Sequence, residues 1–191
     1  MNVAAGELTA AGSAEMLDVE RVYGEHADFV WRSLQRLGAP EAELEDLLQE
    51  VFVVVHRRRK SFDGRSKLTT WLFGISLRVV RGHRRRARFR RERPTPAPPE
   101  AVEGRTPERA MQALQARQKL TAVLDGIEPE RRATFVMFEL EGLSTRAIAE
   151  LMGVPIGTVH SRLHLARRDF ARALVRFEQK CERVAKARRA R

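Results

Sequence analysis

The sequence predicts an all-α protein of two small helical domains joined by a Pro-rich linker, the second containing a helix-turn-helix. Apolar residues recur at helical spacing along most of the 191 residues, which favours amphipathic helices over strands. Aromatic residues make up only 6%, and glycine (12) and proline (8) are few, so a β-sandwich or barrel is not expected. Four prolines stand together near the middle and divide the chain in two.

The first domain is predicted to span residues 16–88, after a flexible N-terminus over residues 1–15. Its first amphipathic helix ends at Gly38. The second contains Val51–Val55, a run with strand propensity, but the surrounding period of about 3.6 residues favours a helix. A third helix begins near Leu68 and continues into an Arg-rich end. The apolar positions expected to form the core are Val19, Val22, Tyr23, Val30, Leu34, Leu37, Leu44, Leu47, Leu48, Val51, Phe52, Val55, Leu68, Trp71, Leu72, Ile75 and Val79.

The linker is predicted over residues 89–105, where the prolines stand at positions 94, 96, 98 and 99. Proline lacks a backbone N–H, so such a segment is semi-extended. At about 3.1 Å per residue it reaches roughly 50 Å. Two domains joined in this way can bind duplex sites more than one helical turn apart.

The second domain is predicted over residues 106–178, and it begins with the helix-start pattern Thr106, Pro107, Glu108. Its helix-turn-helix follows Gly142, with Ser144 as the cap of the first helix. Gly153 supplies a positive φ at the turn, where Pro155 prevents the helix from continuing. Residues 179–191 form a basic C-terminal tail that we expect to be frayed. The apolar positions expected to be buried in this unit are Ile148, Ala149, Met152, Val159, Leu163, Ala166, Phe170, Leu174 and Phe177.

Charge is distributed unevenly along this chain of net charge +11. Residues 1–50 carry a net −8, residues 56–93 carry +13, residues 94–155 carry −2 and residues 156–191 carry +8. Two separated basic segments favour a long polyanion contacted twice, such as nucleic acid. Solvated helix faces or an anionic membrane surface would give similar totals.

Several classes are disfavoured by what the sequence lacks. Cys181 is the single cysteine, so an internal disulfide is impossible, and no Cys/His spacing resembles a zinc site. No apolar run approaches the roughly 20 residues of a membrane span. We expect a soluble, cytoplasmic protein with no membrane insertion, no metal and no cofactor.

The second helix of the helix-turn-helix has a polar and basic outer face. Small polar groups near its start suit base edges, while the later arginines suit phosphates. An ordinary helical hairpin with a solvated face is the alternative. The candidate DNA-binding residues are Thr158, His160, Ser161, Arg162, Arg167 and Arg168.

The first domain has two chemically different helices. The second helix has an acidic and amide-bearing side at Asp46, Gln49 and Glu50, which suits a basic protein partner or is simply solvated. No nucleophile or metal-ligand set accompanies these carboxylates, so an enzyme is not expected. The third helix interleaves basic and aromatic groups, which can hold unstacked bases, although Trp71 at this spacing is more typical of a core residue.

Three motifs then occur in order, and the third is the most specific. They are DLLQEVFVVVHRR (Asp46–Arg58), LTTWLFGIS (Leu68–Ser76) and EGLSTRAIAELMGVPIGTVHSRLHLAR (Glu141–Arg167). Together they resemble the extracytoplasmic-function (ECF) sigma factors of bacterial RNA polymerase over residues 18–178. The resemblance implies a non-enzymatic initiation factor whose partners are core polymerase, promoter DNA and an anti-sigma factor.

The resemblance also implies roles for individual residues. The polymerase-binding set would be Asp46, Leu47, Gln49, Glu50 and Phe52. The set that reads and opens the −10 element would be Lys67, Thr69, Thr70, Trp71, Arg78, Arg81 and Arg85. The helix beginning at Ile156 would enter the major groove of the −35 element. Arg78 and Gly82 depart from the family's usual Asn and Asp, and His160 stands where Lys or Arg is common.

Other functions remain open from the residues alone. A helix-turn-helix transcriptional regulator acting without being a polymerase subunit would bind duplex DNA unaided. A recombinase would need a nucleophile in the first domain, and a basic membrane-surface or RNA-binding protein would show no promoter preference.

Overall fold

A computed structural model of the protein describes residues 17–90 and 107–189, and within these ranges every regular element is helical. The all-α prediction is confirmed. The predicted flexible N-terminus and nearly all of the predicted linker lie outside the described residues. The helices are α1 (Val19–Leu37), α2 (Leu44–Arg58), α3 (Leu68–Arg90), α4 (Pro107–Leu124), α5 (Pro129–Phe135), α6 (Thr145–Met152) and α7 (Ile156–Arg189).

The first domain is a three-helix unit in which α1, α2 and α3 pack on one another. The Asp18 carboxylate caps α1 by accepting hydrogen bonds from the amides of Glu20 and Arg21. Gly38 ends the helix in the left-handed region, with φ +82°, where a residue without Cβ is unstrained. The core side chains Val30, Val51, Val55, Leu72 and Phe73 are fully enclosed, each burial stabilising the fold by about 1.5–3 kcal/mol.

The second domain is built around the packing of α5 on the long helix α7. Glu128 caps α5 by accepting from the amides of Glu130 and Arg131, and Pro129 occupies the first turn, where it is tolerated. The helix continues into a π-helical turn over Val136–Leu140. The rings of Phe135 and Phe170 stack with centroids 4.8 Å apart, which joins α5 to α7.

The helix-turn-helix forms with the predicted caps. The Ser144 hydroxyl accepts a hydrogen bond from the Ala147 amide at 3.2 Å, and α6 therefore starts where the sequence predicted. Gly153 ends α6 with φ +66°. The carbonyl of Pro155 then accepts the amide of Thr158 at 2.9 Å, which opens the first turn of α7.

Helix α7 is longer than the sequence pattern suggested. It continues through residues 179–189, a segment expected to be a frayed tail, and its 34 residues extend about 51 Å. Gln179, Lys180, Cys181 and Glu182 are all exposed, so packing does not explain the extension. Residues such as Lys, Arg, Glu and Ala have high helix propensity, and the helix is already nucleated by its packed half.

The two domains are in contact. Helix α1 packs against α4 and α5 of the second domain, and the buried apolar residues of both domains form a single cluster. The domains are therefore much closer together than the roughly 50 Å that the predicted linker could span.

Candidate nucleic-acid interface

The outer face of α7 presents most of the predicted base-contacting groups to solvent. His160 and Ser161 are exposed, and Thr158 is half-buried. Val159 and Leu163 are buried on the opposite side of the same turns, which fixes the rotation of the helix. Small polar groups therefore stand at the start of the helix, where a major-groove reader contacts bases.

Two of the predicted DNA-binding arginines of this helix form ion pairs with carboxylates of the protein. Arg167 places Nη2 2.7 Å from Glu139 Oε1 and lies over the Phe138 ring, 5.5 Å from its centroid. Arg162 places Nη1 3.3 Å from Glu130 Oε2. Arg168 is exposed. An exposed ion pair contributes only about 0–1 kcal/mol, so phosphates can replace the carboxylate at Arg167 with little loss.

Helix α3 is buried through its middle, and three of the predicted basic contacts on it or just before it are exposed. Lys67, Arg78 and Arg85 are exposed and are free to contact a phosphate backbone. Trp71 is half-buried, and its ring lies 5.3 Å from that of Phe62, measured between centroids. The tryptophan thus has both a core contact and a solvent-facing part, and Thr69 and Thr70 are likewise half-buried.

The later arginines of α3 have partners within the protein. Arg81 donates to both carboxylate oxygens of Glu130, at 3.0 and 2.5 Å. Arg86 Nη2 lies 2.9 Å from Glu50 Oε2. Arg84 donates to the carbonyls of Leu37 and Gly38 at the end of α1. Burial, and then the neighbouring Arg132 guanidinium, lower the pKa of Arg84 from its ordinary value.

The polar residues of the acidic face of α2 reach solvent, but the apolar residues predicted to bind polymerase with them are buried. Asp46 and Gln49 are exposed, and Glu50 is half-buried. Leu47 and Phe52 were expected to contact a partner, yet they are only 2% and 7% exposed. They pack beneath the acidic face because α2 turns its apolar side towards the first domain's core, so in this arrangement they support the face rather than form it.

An aromatic residue at the edge of this face was not singled out as a surface contact. Tyr23, which the sequence placed in the core, is 49% exposed. Its ring meets the Phe52 ring edge-on at 4.7 Å. The helical period placed Tyr23 near the apolar side of α1, but only the packing of α1 on α2 shows that it lies at the rim.

Glu130 is the residue that sequence reasoning missed. Its carboxylate receives Arg81 from α3 and Arg162 from α7, so it joins the two helices that were predicted to bind DNA. These arginines lie far from it along the chain, 49 and 32 residues away. No local pattern marks such a pairing, and only the tertiary fold shows it.

Neither a metal centre nor a membrane span is found in the parts of the chain that the structure describes. Over residues 17–90 and 107–189 there is no group of three or more His, Cys, Asp or Glu side chains suited to hold a metal ion. Among the described helices, none has the length and apolarity needed to cross a bilayer.

Comparison with known proteins assigns the chain to a family. Residues 22–90 match the Sigma-70 region 2 family and residues 117–170 match Sigma-70, region 4. The ECF RNA polymerase sigma factor SigL of Mycobacterium tuberculosis is 32% identical over 162 residues, covering 84% of this chain and 91% of SigL. The chain belongs to the ECF sigma factors. This confirms the resemblance drawn from the three sequence motifs.

A second relative agrees with this family assignment, and a solved structure is similar in fold. The ECF RNA polymerase sigma factor SigE of Mycolicibacterium smegmatis is 34% identical over 162 residues, covering 82% of this chain but only 61% of SigE. The chain therefore spans less than two thirds of that relative. The solved structure of the sigma factor RpoE in complex with the anti-sigma factor NepR from Bartonella quintana aligns with a TM-score of 0.63 at 20% identity, over 81% of this chain and 95% of RpoE. That similarity confirms the fold.

Proposed function

We propose that this sigma factor binds core RNA polymerase through the acidic face of α2 and contacts promoter DNA through α3 and α7, and so directs transcription initiation. The observation that carries the proposal is that acidic and basic surfaces occupy different helices of one chain. An exposed acidic face lies in the region 2 domain, whereas basic helices lie in both the region 2 and the region 4 domains.

The acidic face suits a basic protein surface. Asp46 and Gln49 stand exposed on one side of α2, and Glu50 is shared with Arg86. Beneath them Leu47 and Phe52 fix the helix in place. Charge complementarity of this kind fixes orientation and raises the association rate more than it raises affinity.

Helix α3 is the proposed −10 element reader. Lys67, Arg78 and Arg85 would contact phosphates, since they are exposed. Thr69, Thr70 and Trp71 would hold unpaired bases by hydrogen bonding and stacking, which contributes about 1–3 kcal/mol per base for an aromatic platform. Such contacts offset an unstacking cost of a few kcal/mol per base, so opening needs no catalytic residue.

Helix α7 is the proposed −35 element reader. Thr158, His160 and Ser161 stand at its N-terminal end, and Arg167 and Arg168 follow on the outer side. Base contacts from the first group would specify sequence, and phosphate contacts from the second would set orientation.

We also propose that the factor acts in the cytoplasm, where a polymerase subunit must work. Regulation by an anti-sigma protein is a further part of the proposal. Support comes from the structural neighbour RpoE, which was solved in complex with the anti-sigma factor NepR. Met111 and Leu114, which lie one turn apart on α4, are 59% and 50% exposed, and we propose that such a partner covers them.

Run-off transcription with purified core polymerase on genomic templates tests the function. We expect transcripts that depend on the chain, and we expect Asp46→Lys to abolish or greatly reduce them by weakening polymerase binding. Asp28→Lys is the matched control, because the Asp28 side chain is 86% exposed on α1 and carries no proposed role. A chain that binds promoter duplex tightly without polymerase, and gives no transcript with it, would instead be a conventional helix-turn-helix regulator.

A further inference from the structure

The carboxyl-terminal half of α7 carries a row of cations that extends beyond the proposed −35 contacts. Helix α7 continues to Arg189, whereas the match to Sigma-70, region 4 ends at residue 170. From Arg168 onwards, an arginine or a lysine recurs every three or four residues. The side chains of this row are all exposed, and they are Arg168, Arg172, Arg176, Lys180, Arg183 and Lys186.

This row forms one face of the helix, which we call the cationic face. With 3.6 residues per turn, successive positions are rotated by about 100°, so the six cations fall within an arc of roughly 120°. Thr158 and Ser161, two of the proposed base contacts, fall within the same arc. Val159 and Leu163 lie outside it and are buried. The cationic face is therefore continuous with the base-reading end of α7.

Carboxylates of the protein leave the cationic face open to solvent. Within the described residues, the ion pairs of α7 are formed by Arg162, Arg167, Asp169 and Glu178, and the six cations take part in none of them. Asp169 is the one acidic residue of α7 in the same arc, but its side chain is 20% exposed and pairs with Arg131 at 2.6 Å. Alternating charges are typical of a solvated helix, whereas a face of one sign keeps a positive potential that suits a polyanion.

Duplex DNA matches the cationic face in chemistry and in position. Four of the six cations are arginines, whose planar forks bind phosphate oxygens at two points. The face extends about 27 Å along the helix, which is the length of about eight base pairs. Since the face begins on the helix that is proposed to enter the major groove, the duplex beside that groove is the nearest polyanion.

The cations differ in how far they lie from the groove. Arg168 and Arg172 lie about 11 and 17 Å beyond Ser161 along the helix axis. These distances are comparable with the roughly 12 Å width of the major groove, so both side chains reach phosphates at its rim. Arg183 and Lys186 lie about 33 and 38 Å beyond Ser161. Because a straight helix leaves the surface of a straight duplex over such a distance, these two reach phosphates only where the duplex curves towards α7.

We propose that the cationic face binds the phosphate backbone of the duplex flanking the −35 element, and that this flank curves towards α7. Phosphate contacts add affinity and fix orientation, while the groups at the start of the helix specify the bases. The energy needed to bend the flank is offset by the added contacts. The position beside the −35 element rests on the proposed function, whereas phosphate binding by the face does not.

The salt dependence of binding to a mixed-sequence duplex tests the phosphate contacts. The full chain is titrated, without polymerase, into a fluorescently labelled duplex at several salt concentrations, and the variant is Arg176→Gln/Arg183→Gln. Each lost phosphate contact reduces the steepness of log K against log salt by about 0.9. We expect the steepness to fall by about 2 and the affinity at low salt to fall on the order of tenfold.

The matched control is Arg21→Gln/Arg32→Gln. These two arginine side chains are 64% and 39% exposed on α1, and their replacement changes the net charge equally. Glutamine has nearly the helix propensity of arginine, so both variants keep their helices. We expect the control to retain the salt dependence of the parent. Equal salt dependence in the two variants would overturn phosphate binding by the cationic face.

A second measurement identifies what lies beside the face in the complete initiation complex. The native Cys181 is exposed and lies within one turn of Lys180 and Arg183. An iron chelate attached to it before assembly with core polymerase generates hydroxyl radicals that cut neighbouring chains. On a promoter obtained by run-off transcription, we expect cuts in the duplex next to the −35 element, and weaker cuts for Arg176→Gln/Arg183→Gln. A Cys181→Ser chain treated in the same way gives the background.

Other outcomes of the cleavage experiment would contradict the proposal. Cuts confined to polymerase subunits would mean that an acidic protein surface covers the face. Cuts in DNA that are unchanged by Arg176→Gln/Arg183→Gln would mean that the cations do not hold the flank. Absent run-off transcripts would count against the proposed function, while the salt dependence would still decide phosphate binding.

Energy transfer between dyes at the two ends of the flanking duplex measures its curvature in the same complex. We expect a shorter end-to-end distance with the parent chain than with Arg176→Gln/Arg183→Gln, because the far cations are lost. The Arg21→Gln/Arg32→Gln control should give the distance of the parent. Equal distances in all three complexes would overturn the claim that the flank curves towards α7.

Discussion

Replacing Arg132 by methionine should weaken the first domain even though the residue lies in the second. Its guanidinium donates to the carbonyls of Gln35 and Arg36, and methionine keeps an unbranched apolar side chain but has no guanidinium and no donors. Hydrogen bonds to charged groups contribute about 1.5–3 kcal/mol each. The substitution therefore removes two of the stronger polar contacts between the domains.

Removing the buried charge also removes its desolvation cost, which reduces the net loss of stability. Arg132 is 3% exposed, so its charged form loses hydration, and this burial lowers its pKa from the ordinary value. That cost is several kcal/mol for a buried ion, and methionine does not bear it. Since Asp125, which pairs with Arg132, is 61% exposed, its carboxylate returns to water cheaply. We expect a net loss of about 2 kcal/mol.

Tryptophan fluorescence during heating isolates the effect across the interface. Both tryptophans, Trp31 and Trp71, lie in the first domain, so their signal follows that domain alone. A loss of about 2 kcal/mol lowers the midpoint by roughly 8–16 °C in a domain as small as the first one. Arg131→Met is the control, because Arg131 pairs with Asp169 at 2.6 Å inside the second domain.

The control pair is partly exposed, so we expect Arg131→Met to cost about 1 kcal/mol or less. The Trp-monitored midpoint should then change by no more than roughly 8 °C. If Arg132→Met and Arg131→Met gave the same Trp-monitored midpoint, the reasoning that Arg132 stabilises the first domain through α1 would be refuted.

Three further substitutions test local features. Gly38→Ala should destabilise the protein by more than about 1 kcal/mol in urea denaturation, because φ is +82° and the new Cβ would lie 2.5 Å from Arg84 Nη2. The control is Gly24→Ala in α1, where the new Cβ meets open space. We expect it to be neutral or to stabilise the protein by up to about 1 kcal/mol. Ile148→Ala should cost about 2–5 kcal/mol, since the side chain is fully buried, and a cost within the error of urea denaturation would contradict its place in the core. Arg162→Ala should reduce discrimination for the −35 element by about 1–3 kcal/mol in holoenzyme binding; an equal loss on every sequence would make it a phosphate contact.

Local features of the fold were predictable because they depend on neighbouring residues. The 3.6-residue period gave the helices of both domains, and Ser144 and Gly153 marked the ends of α6 by cap and turn chemistry that acts over a few residues. The burial of Val159 and Leu163 followed from the same period. These predictions needed no knowledge of how the helices pack.

Features that depend on long-range packing were not predictable in the same way. Leu47 and Phe52 belong to the apolar side of α2 by period, but whether that side meets a partner or the protein's own core is decided by where α1 and α3 lie. The pairing of Glu130 with Arg81 joins residues from different domains. The helical continuation of α7 past Phe177 was missed because a strongly basic end resembles a solvated tail in sequence.

The end of α1 brings together two guanidinium groups, Arg84 from the first domain and Arg132 from the second. Both reach towards Gly38, where a Cβ would lie 2.5 and 2.9 Å from their nitrogens, and Arg132 is among the causes that lower the pKa of Arg84. Two like charges at one joint push the domains apart while carboxylates draw them together. The repulsion therefore offsets part of the attraction between the domains, and a neutral residue at position 84 would remove that repulsion together with the two hydrogen bonds that Arg84 donates to the end of α1.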